Sequence, residues 1–208
     1  MTTTRRTLSS LAVLALAAGL ITGCGDKDEP TPSAGSEATA SAPKEQSDGG
    51  GESAKPTKPD VPKPDPKDYP GMDEHTDEGA EQAYRYFWAV VLWSYQTGDT
   101  EVLKSLIGES CASCDQNLRD VEKLNKAGKW WSQATIDDRD LRTYESEKHE
   151  IEVGYTFILS AHSEPVYGNS RLKQEPDTRY GTVGGMSWSK GSWVVHAFNL
   201  KTEKVGNG

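Results

Sequence analysis

Residues 75–99 read HTDEGAEQAYRYFWAVVLWSYQTGD and carry the strongest helix signal in the chain. Thr76 can cap a helix, acidic residues follow in its positive first turn, and Gly98 can end it. Apolar side chains recur at three- and four-residue spacings around so much of the surface that the helix must be covered on most sides. The stretch predicts a long helix packed against other elements.

Two shorter helices are predicted after it. The step Thr97-Gly98-Asp99 leads into a short helix that ends before Gly108. A third helix begins at residues 113–116 (SCDQ), where Ser and Gln have the spacing of a capping box, and it ends at Gly128.

From Trp130 onward the apolar period changes from helix to strand. Residues 130–136 form a candidate strand, and residues 137–140 (DDRD) are predicted to be an acidic turn before a short strand through Tyr144. The clearest alternation covers 150–159 (EIEVGYTFIL), and residues 160–176 are predicted to be a loop.

The last two predicted strands flank residues 189–192 (SKGS), which is a hairpin signal. This register sets Trp188 opposite Trp193 as a cross-strand aromatic pair. The pair Gly184-Gly185 indicates a bulge or bend that would curve the sheet.

Helices followed by antiparallel strands predict an α+β domain, three N-terminal helices packed in a curved antiparallel sheet. The stretch 74–202, in which Thr97-Gly98-Asp99 joins the long helix to a short one, resembles the cone-shaped fold of ketosteroid isomerase and the nuclear transport factor two-like superfamily. The resemblance implies a curved sheet around the first helix and a pocket at its open end. In those isomerases a buried Asp and a Tyr do the chemistry. Tyr84 or Tyr155 could supply a phenol, but no Asp stands at a predicted inward strand position.

Composition divides the 208 residues, which carry a net charge of −9, into three parts. All six Trp and all three Phe fall in 71–208, so only this segment can bury a core. Residues 24–70 hold nine of the 11 Pro and few apolar side chains, which predicts a disordered tether. The acidic domain has no basic stripe, which argues against a nucleic-acid partner.

Residues 1–23 have the charge and length of a signal peptide, with Arg5-Arg6 before 14 uncharged, mostly apolar residues. Residues 21–24 (ITGC) resemble the lipobox of bacterial lipoproteins. The resemblance implies cleavage before Cys24, a diacylglyceryl anchor on its thiol, and a location on the extracytoplasmic face of the cell membrane. An ordinary signal peptide that ends near a cysteine is the alternative, and the choice between Tat and Sec export stays open.

The remaining cysteines, Cys111 and Cys114, form an even pair in an oxidising compartment, which predicts a disulfide. A redox-active pair and a zinc site are the alternatives, although no nearby spacing supplies two further zinc ligands. With the lipobox, the tether and residues 109–114 (ESCASC), the chain also resembles a family of actinobacterial lipoproteins of unknown function.

Sixteen aromatic side chains in 71–208 indicate either an aromatic-lined pocket or a core filled with aromatic rings. No catalytic motif, metal site or cofactor fingerprint is present, so no catalytic residue is assigned. The candidate pocket-lining residues come from the helix and the predicted strands: Tyr84, Trp88, Trp93, His149, Tyr155, Trp188 and His196.

Three functions are compatible with these features. The first is a membrane-anchored lipoprotein whose domain binds a small apolar ligand or an envelope protein without catalysis. The second is an isomerase- or hydrolase-type enzyme that uses the cone pocket. The third is a structural accessory module of an envelope complex. An ionisable group facing a partly apolar cavity would favour the enzyme, and a filled cone with an exposed apolar sheet face would favour the accessory module.

Overall fold

The computed structural model describes residues 57–206. The predicted signal peptide, Cys24 and most of the predicted tether lie outside the described residues. Within 57–206, no helix combines the length and apolar character needed to cross a membrane.

The long helix α1 spans Asp77–Thr97 and confirms the first prediction. The Thr76 hydroxyl accepts a 3.0 Å hydrogen bond from the Gly79 N–H, and Gly98 ends the helix with a positive φ of 76°. Buried apolar side chains lie on most of its circumference, because the sheet and the other helices cover it. They are Ala80, Ala83, Tyr84, Tyr86, Phe87, Trp88, Val90 and Val91.

The short helix α2 spans Glu101–Ser105, and α3 spans Ala112–Lys126. The predicted capping box at Ser113 is wrong by two positions, because Cys111 is the N-cap of α3 and its sulfur accepts from the Cys114 N–H at 3.3 Å. The Ser113 hydroxyl instead accepts a 3.1 Å hydrogen bond from the Phe198 N–H. Ser113 thus satisfies a donor on the edge of the sheet.

The strands are β1 Ile136–Tyr144, β2 Ile151–Leu159, β3 His162–Pro165, β4 Leu172–Glu175, β5 Thr178–Ser189 and β6 Ser192–Lys204. Four of them form an antiparallel sheet in the order β1-β2-β5-β6, and β3 pairs with β4 in a separate hairpin. Three helices followed by antiparallel strands confirm the α+β class.

The face of β2 predicted to be apolar is the buried one. Ile151, Val153, Tyr155, Phe157 and Leu159 are all buried, whereas the residues between them are partly exposed. This face packs against α1, so the core lies between the long helix and the sheet.

The β5–β6 hairpin also forms as predicted. Lys190 and Gly191 take positive φ values of 52° and 85° in the two-residue turn, and Trp188 pairs with Trp193 at a ring-centroid distance of 5.6 Å. The register shifts beside Gly185, where the two strands pair Gly185 with Ala197 and then Met186 with Val195. The extra residue of the bulge is therefore His196 on β6.

Three local predictions are wrong. Residues 137–140 are not a turn but part of β1, and residues 130–135 are not a strand. An edge strand tolerates such charges because they point to solvent. The register of the β1–β2 pairing shifts between Asp138 and Asp140. The region 160–176, predicted to be a loop, contains the β3–β4 hairpin.

The packed domain also begins before residue 71. Pro66–Asp68 forms a short 3₁₀ turn, and the Tyr69 ring lies edge-on to Tyr86 with centroids 5.2 Å apart. The guanidinium of Arg85 lies over the same ring. An aromatic side chain near the end of the predicted tether therefore joins the surface of α1.

Candidate ligand cavity

An apolar cavity of about 150 Å³, here called the inner cavity, lies between α1, α3 and the sheet. Its volume matches that of an engineered apolar cavity that holds benzene, so a single ring would fit. Its lining is almost entirely aromatic and aliphatic: Trp88, Val91, Leu92, Tyr95, Asn117, Trp131, Ile136, Phe157, Leu159, Tyr180, Phe198 and Leu200.

Helical and strand periods bring this lining together. Val91 and Tyr95 are four residues apart on α1 and therefore lie on one face. Phe157 and Leu159 belong to the inward face of β2, and Tyr180 lies opposite Phe157 on β5 with the rings stacked at 5.1 Å. The wide apolar surface of α1 thus forms one wall and the sheet the other.

The polar groups of the inner cavity are neutral. The Tyr95 hydroxyl donates to Asn117 Oδ1 at 3.2 Å. Burial, followed by the carboxylate of Asp120, raises the pKa of Tyr95, and burial raises the pKa of Tyr180 to about 12. Both phenols are protonated at neutral pH. No Asp, Glu, His, Lys or Arg side chain of the described residues lines the inner cavity.

A second cavity, here called the outer cavity, opens beside it with a volume of about 430 Å³. Tyr95 and Trp131 line both cavities, and their rings stack at a centroid distance of 4.3 Å. The outer cavity is charged, since its lining includes Asp120, Glu164 and Lys173. An apolar chamber and a charged chamber therefore share one aromatic wall.

His162, predicted to lie in or beside a loop, is instead buried on β3 next to this wall. Its ring lies 5.0 Å from Trp131, Nδ1 faces the Ser160 carbonyl at 2.8 Å, and Nε2 faces Glu164 Oε1 at 3.2 Å. Burial lowers the pKa of the imidazole, but the hydrogen bonds to Glu164 and Ser160 outweigh it and raise the pKa above its usual value. Two acceptors facing both nitrogens favour the protonated ring.

Of the seven candidate pocket residues, only Trp88 lines the inner cavity. Tyr84 is fully buried on another part of α1, where its hydroxyl shares a 2.7 Å hydrogen bond with Thr182 Oγ1. Trp93 is also on α1 but does not line the cavity, and its indole N–H has no partner among the described residues. The helix surface is wide enough that its aromatic residues face several different neighbours.

His149 and His196 come together, but away from both cavities. Their rings are nearly parallel with centroids 6.1 Å apart, and His196 Nε2 lies 2.6 Å from the Ser187 hydroxyl. His149 precedes β2 and lies against Gly185. His196 is the extra residue of the bulge in β6, and His149 precedes β2, so strand alternation does not determine where either ring lies.

Trp188 belongs to a cluster at the hairpin end. It stacks on His75 at 4.9 Å, and its backbone N–H donates to Glu150 Oε2 at 2.9 Å. Glu150 also pairs with His75, and both hydrogen bonds lower the pKa of its carboxyl. The Trp193 indole donates to the Glu74 carbonyl at 2.9 Å. This cluster fastens the segment before α1 to the β5–β6 hairpin.

Tyr155 does meet an Asp, although this Asp lies at an exposed position of the edge strand β1 and not at an inward one. Its hydroxyl donates to Asp138 Oδ1, and Arg85 pairs with the other carboxylate oxygen. Burial and the Asp138 hydrogen bond raise the pKa of Tyr155. Neither Asp138 nor Tyr155 lines the inner cavity, so the pair does not reproduce an acid–base site facing it.

The structure joins Cys111 and Cys114 in a disulfide. Both cysteines are buried at the start of α3. Within residues 57–206, no group of three or more His, Cys, Asp or Glu side chains is arranged to hold a metal ion.

Several solved structures are similar to this chain. A protein with a cystatin-like fold from Caulobacter vibrioides shares 8% identity at a TM-score of 0.42, covering 61% of this chain and 91% of its own. An NTF2-like protein from Rhodospirillum rubrum shares 15% identity at a TM-score of 0.38, covering 60% and 96%. A protein of unknown function from Mycobacterium tuberculosis shares 9% identity at a TM-score of 0.37, covering 59% and 71%. Nothing about function follows from likenesses at this level.

No curated protein matches the sequence. Residues 49–199 match the model of a family of unknown function, DUF6318. Since this match covers well over half of the 208 residues, the chain belongs to the DUF6318 family.

Proposed function

We propose that the protein is a membrane-anchored lipoprotein whose domain binds a small, largely apolar molecule in the inner cavity. The observation that carries the binding proposal is the aromatic, uncharged cavity of about 150 Å³ between α1 and the sheet. Ligand pockets are typically concave and apolar with a few polar groups that orient the ligand. Tyr95, Asn117 and Tyr180 supply those groups here.

Binding ranks before catalysis because of what faces the cavity. A general acid or base needs a pKa near the working pH, whereas the phenols of Tyr95 and Tyr180 have pKa values raised by burial. The Asp138–Tyr155 pair lies outside the lining and is occupied by Arg85. These contacts support a ligand carrier or sensor more than an isomerase or hydrolase.

Native mass spectrometry of the protein purified from its own cells tests the binding proposal. A Val91→Phe substitution adds bulk to the cavity wall, and Val183→Phe is a matched change at a residue that lines neither cavity. We expect a bound mass on the wild type and on Val183→Phe that is lost from Val91→Phe. The absence of any bound mass from the wild type and from both variants would contradict the proposal.

The anchor is proposed from the resemblance of residues 21–24 to a lipobox. Replacing Cys24 by Ala removes the thiol that would carry the diacylglyceryl group, so the protein should be released into the medium. Fractionation of cells that produce each form measures this. Retention of Cys24→Ala in the membrane fraction would rule out the lipid anchor and leave the cavity proposal unaffected.

A further inference from the structure

We propose that the outer cavity binds the ammonium group of a ligand whose apolar body occupies the inner cavity. The proposal rests on the proposed function, since it names the chemical class of molecule that the same site takes. It commits to a small apolar amine with a body about the size of one ring.

The two cavities are arranged for a ligand with two unlike ends. Tyr95 and Trp131 line both, so the two cavities are neighbours, and the proposed ligand extends from one to the other along these two rings. The inner side of the wall meets aliphatic and aromatic groups, and the outer side meets Asp120, Glu164 and Lys173. Charge is thus confined to one end of the combined space.

The carboxylates of the outer cavity keep acceptor capacity. Asp120 Oδ1 accepts from Gln116 Nε2 at 3.0 Å and from the Tyr167 hydroxyl at 3.4 Å. Glu164 Oε1 faces His162 Nε2 at 3.2 Å. The second oxygen of each carboxylate has no hydrogen-bond partner within residues 57–206. Each of these two oxygens can therefore accept a hydrogen bond from an ammonium group.

The positive charges nearby are already engaged. Lys173 forms an ion pair with Glu175, and Lys123 lies over the Tyr167 ring with its Nζ 3.8 Å from the centroid. When His162 is protonated, Nδ1–H donates to the Ser160 carbonyl and Nε2–H donates to Glu164. An anionic ligand would have to compete for these cations, whereas a cationic ligand can use the second oxygens of Asp120 and Glu164.

The negative potential also extends to the shared wall. After burial, the charges of Asp120 and Glu164 are among the causes that raise the pKa of Tyr95. Glu164 and Glu175 likewise contribute to the raised pKa of Tyr180. Only this Coulombic part, which comes from the carboxylates, favours a positive charge, and it agrees with the hydrogen-bonding capacity of Asp120 and Glu164.

Three probes of matched shape separate charge from apolar contact: 2-phenylethylamine, 2-phenylethanol and phenylacetate. They are cationic, neutral and anionic at pH 7, and calorimetric titration into the purified protein gives each dissociation constant. We expect the amine to bind at least about tenfold more tightly than the alcohol, since an ammonium–carboxylate hydrogen bond has two charged partners and an alcohol–carboxylate bond has one. The anion should bind most weakly.

Asp120→Asn and Glu164→Gln should each reduce the affinity of the amine by a larger factor than the affinity of the alcohol, because the alcohol carries no charge. Glu147→Gln is the control, because Glu147 is exposed and lines neither cavity. Equal binding of amine and alcohol, or an amine preference that survives both substitutions, would overturn the charge assignment and leave the apolar site standing. If none of the three probes binds, both the charge assignment and the proposed apolar site are contradicted.

Discussion

Gly184 lies on β5 directly beneath the ring of Tyr84. A Cβ at this position would come within 2.3 Å of Tyr84 Cε2, 2.5 Å of Cζ and 2.7 Å of the hydroxyl oxygen. Tyr84 has no room to withdraw, because it is fully buried and stacks on Phe87 at 5.8 Å. Gly184→Ala must therefore displace a core aromatic ring and its 2.7 Å hydrogen bond with Thr182.

The cost of this substitution has two parts. Overpacking a core by one methyl group destabilises a protein by about 1–3 kcal/mol, and the loss of one buried hydrogen bond adds about 1 kcal/mol. The expected decrease in the free energy of unfolding is therefore about 2–4 kcal/mol. In a domain of this size, each kcal/mol lowers Tm by about 2–4 °C, so Tm should fall by roughly 5–15 °C.

Urea unfolding followed by tryptophan fluorescence measures the effect. Gly181→Ala is the matched control, since a Cβ there meets no described heavy atom within 4 Å and the residue is on the same strand. The control should change the free energy of unfolding by less than about 1 kcal/mol. The same midpoint for both variants would refute the close packing of Tyr84 on β5.

Two further predictions concern charge and covalent structure. Because the folded-state pKa of His162 is raised, its contribution to stability is complete below about pH 6.5 and is lost as pH rises through the folded-state pKa. The wild type should therefore lose more free energy of unfolding between pH 6 and 9 than Glu164→Gln, and parallel pH profiles would argue against the pair. Replacing both Cys111 and Cys114 by Ala should lower the free energy of unfolding by about 2 kcal/mol, from the entropy of so short a loop. Intact-mass measurement after alkylation checks the bond, and wild-type protein that takes up two alkyl groups without reduction would contradict it.

The elements with strong local signals were predictable. Thr76 and Gly98 mark the two ends of α1, as their capping chemistry requires. The alternation of 150–159 predicts which face of β2 is buried. The Trp188–Trp193 pair follows from the turn alone, because a two-residue loop fixes the register of a hairpin. In each case the information lies within a few residues.

The failures occur where distant contacts determine the outcome. Residues 137–140 look like a turn, but they pair with β2 as an edge strand whose charges remain in solvent. Cys111 caps α3 in place of Ser113, whose hydroxyl instead accepts a hydrogen bond from the Phe198 N–H of β6. Local sequence carries no record of either partner.

The candidate cavity was only partly predictable. An aromatic-lined pocket was one of two interpretations of the aromatic residues, and Trp88 lines the inner cavity, but Tyr95, Trp131 and Tyr180 were not among the candidates. The helical spacing of residues 75–99 already places Tyr95 on the apolar face of α1. Trp131 lies in irregular chain after α3, where no periodicity indicates which way a side chain points. His196 is the extra residue of a bulge, so strand alternation does not indicate which way its ring points.

The central claim is that the inner cavity binds a small apolar molecule. Calorimetric titration with the neutral probe 2-phenylethanol tests it most directly in the wild type, Val91→Phe and Val183→Phe. We predict saturable binding at one site in the wild type and Val183→Phe, and at least about tenfold weaker binding in Val91→Phe, because Val91 lines the cavity and Val183 does not. Equal affinity in all three proteins, or no saturable binding to the wild type, would contradict the account.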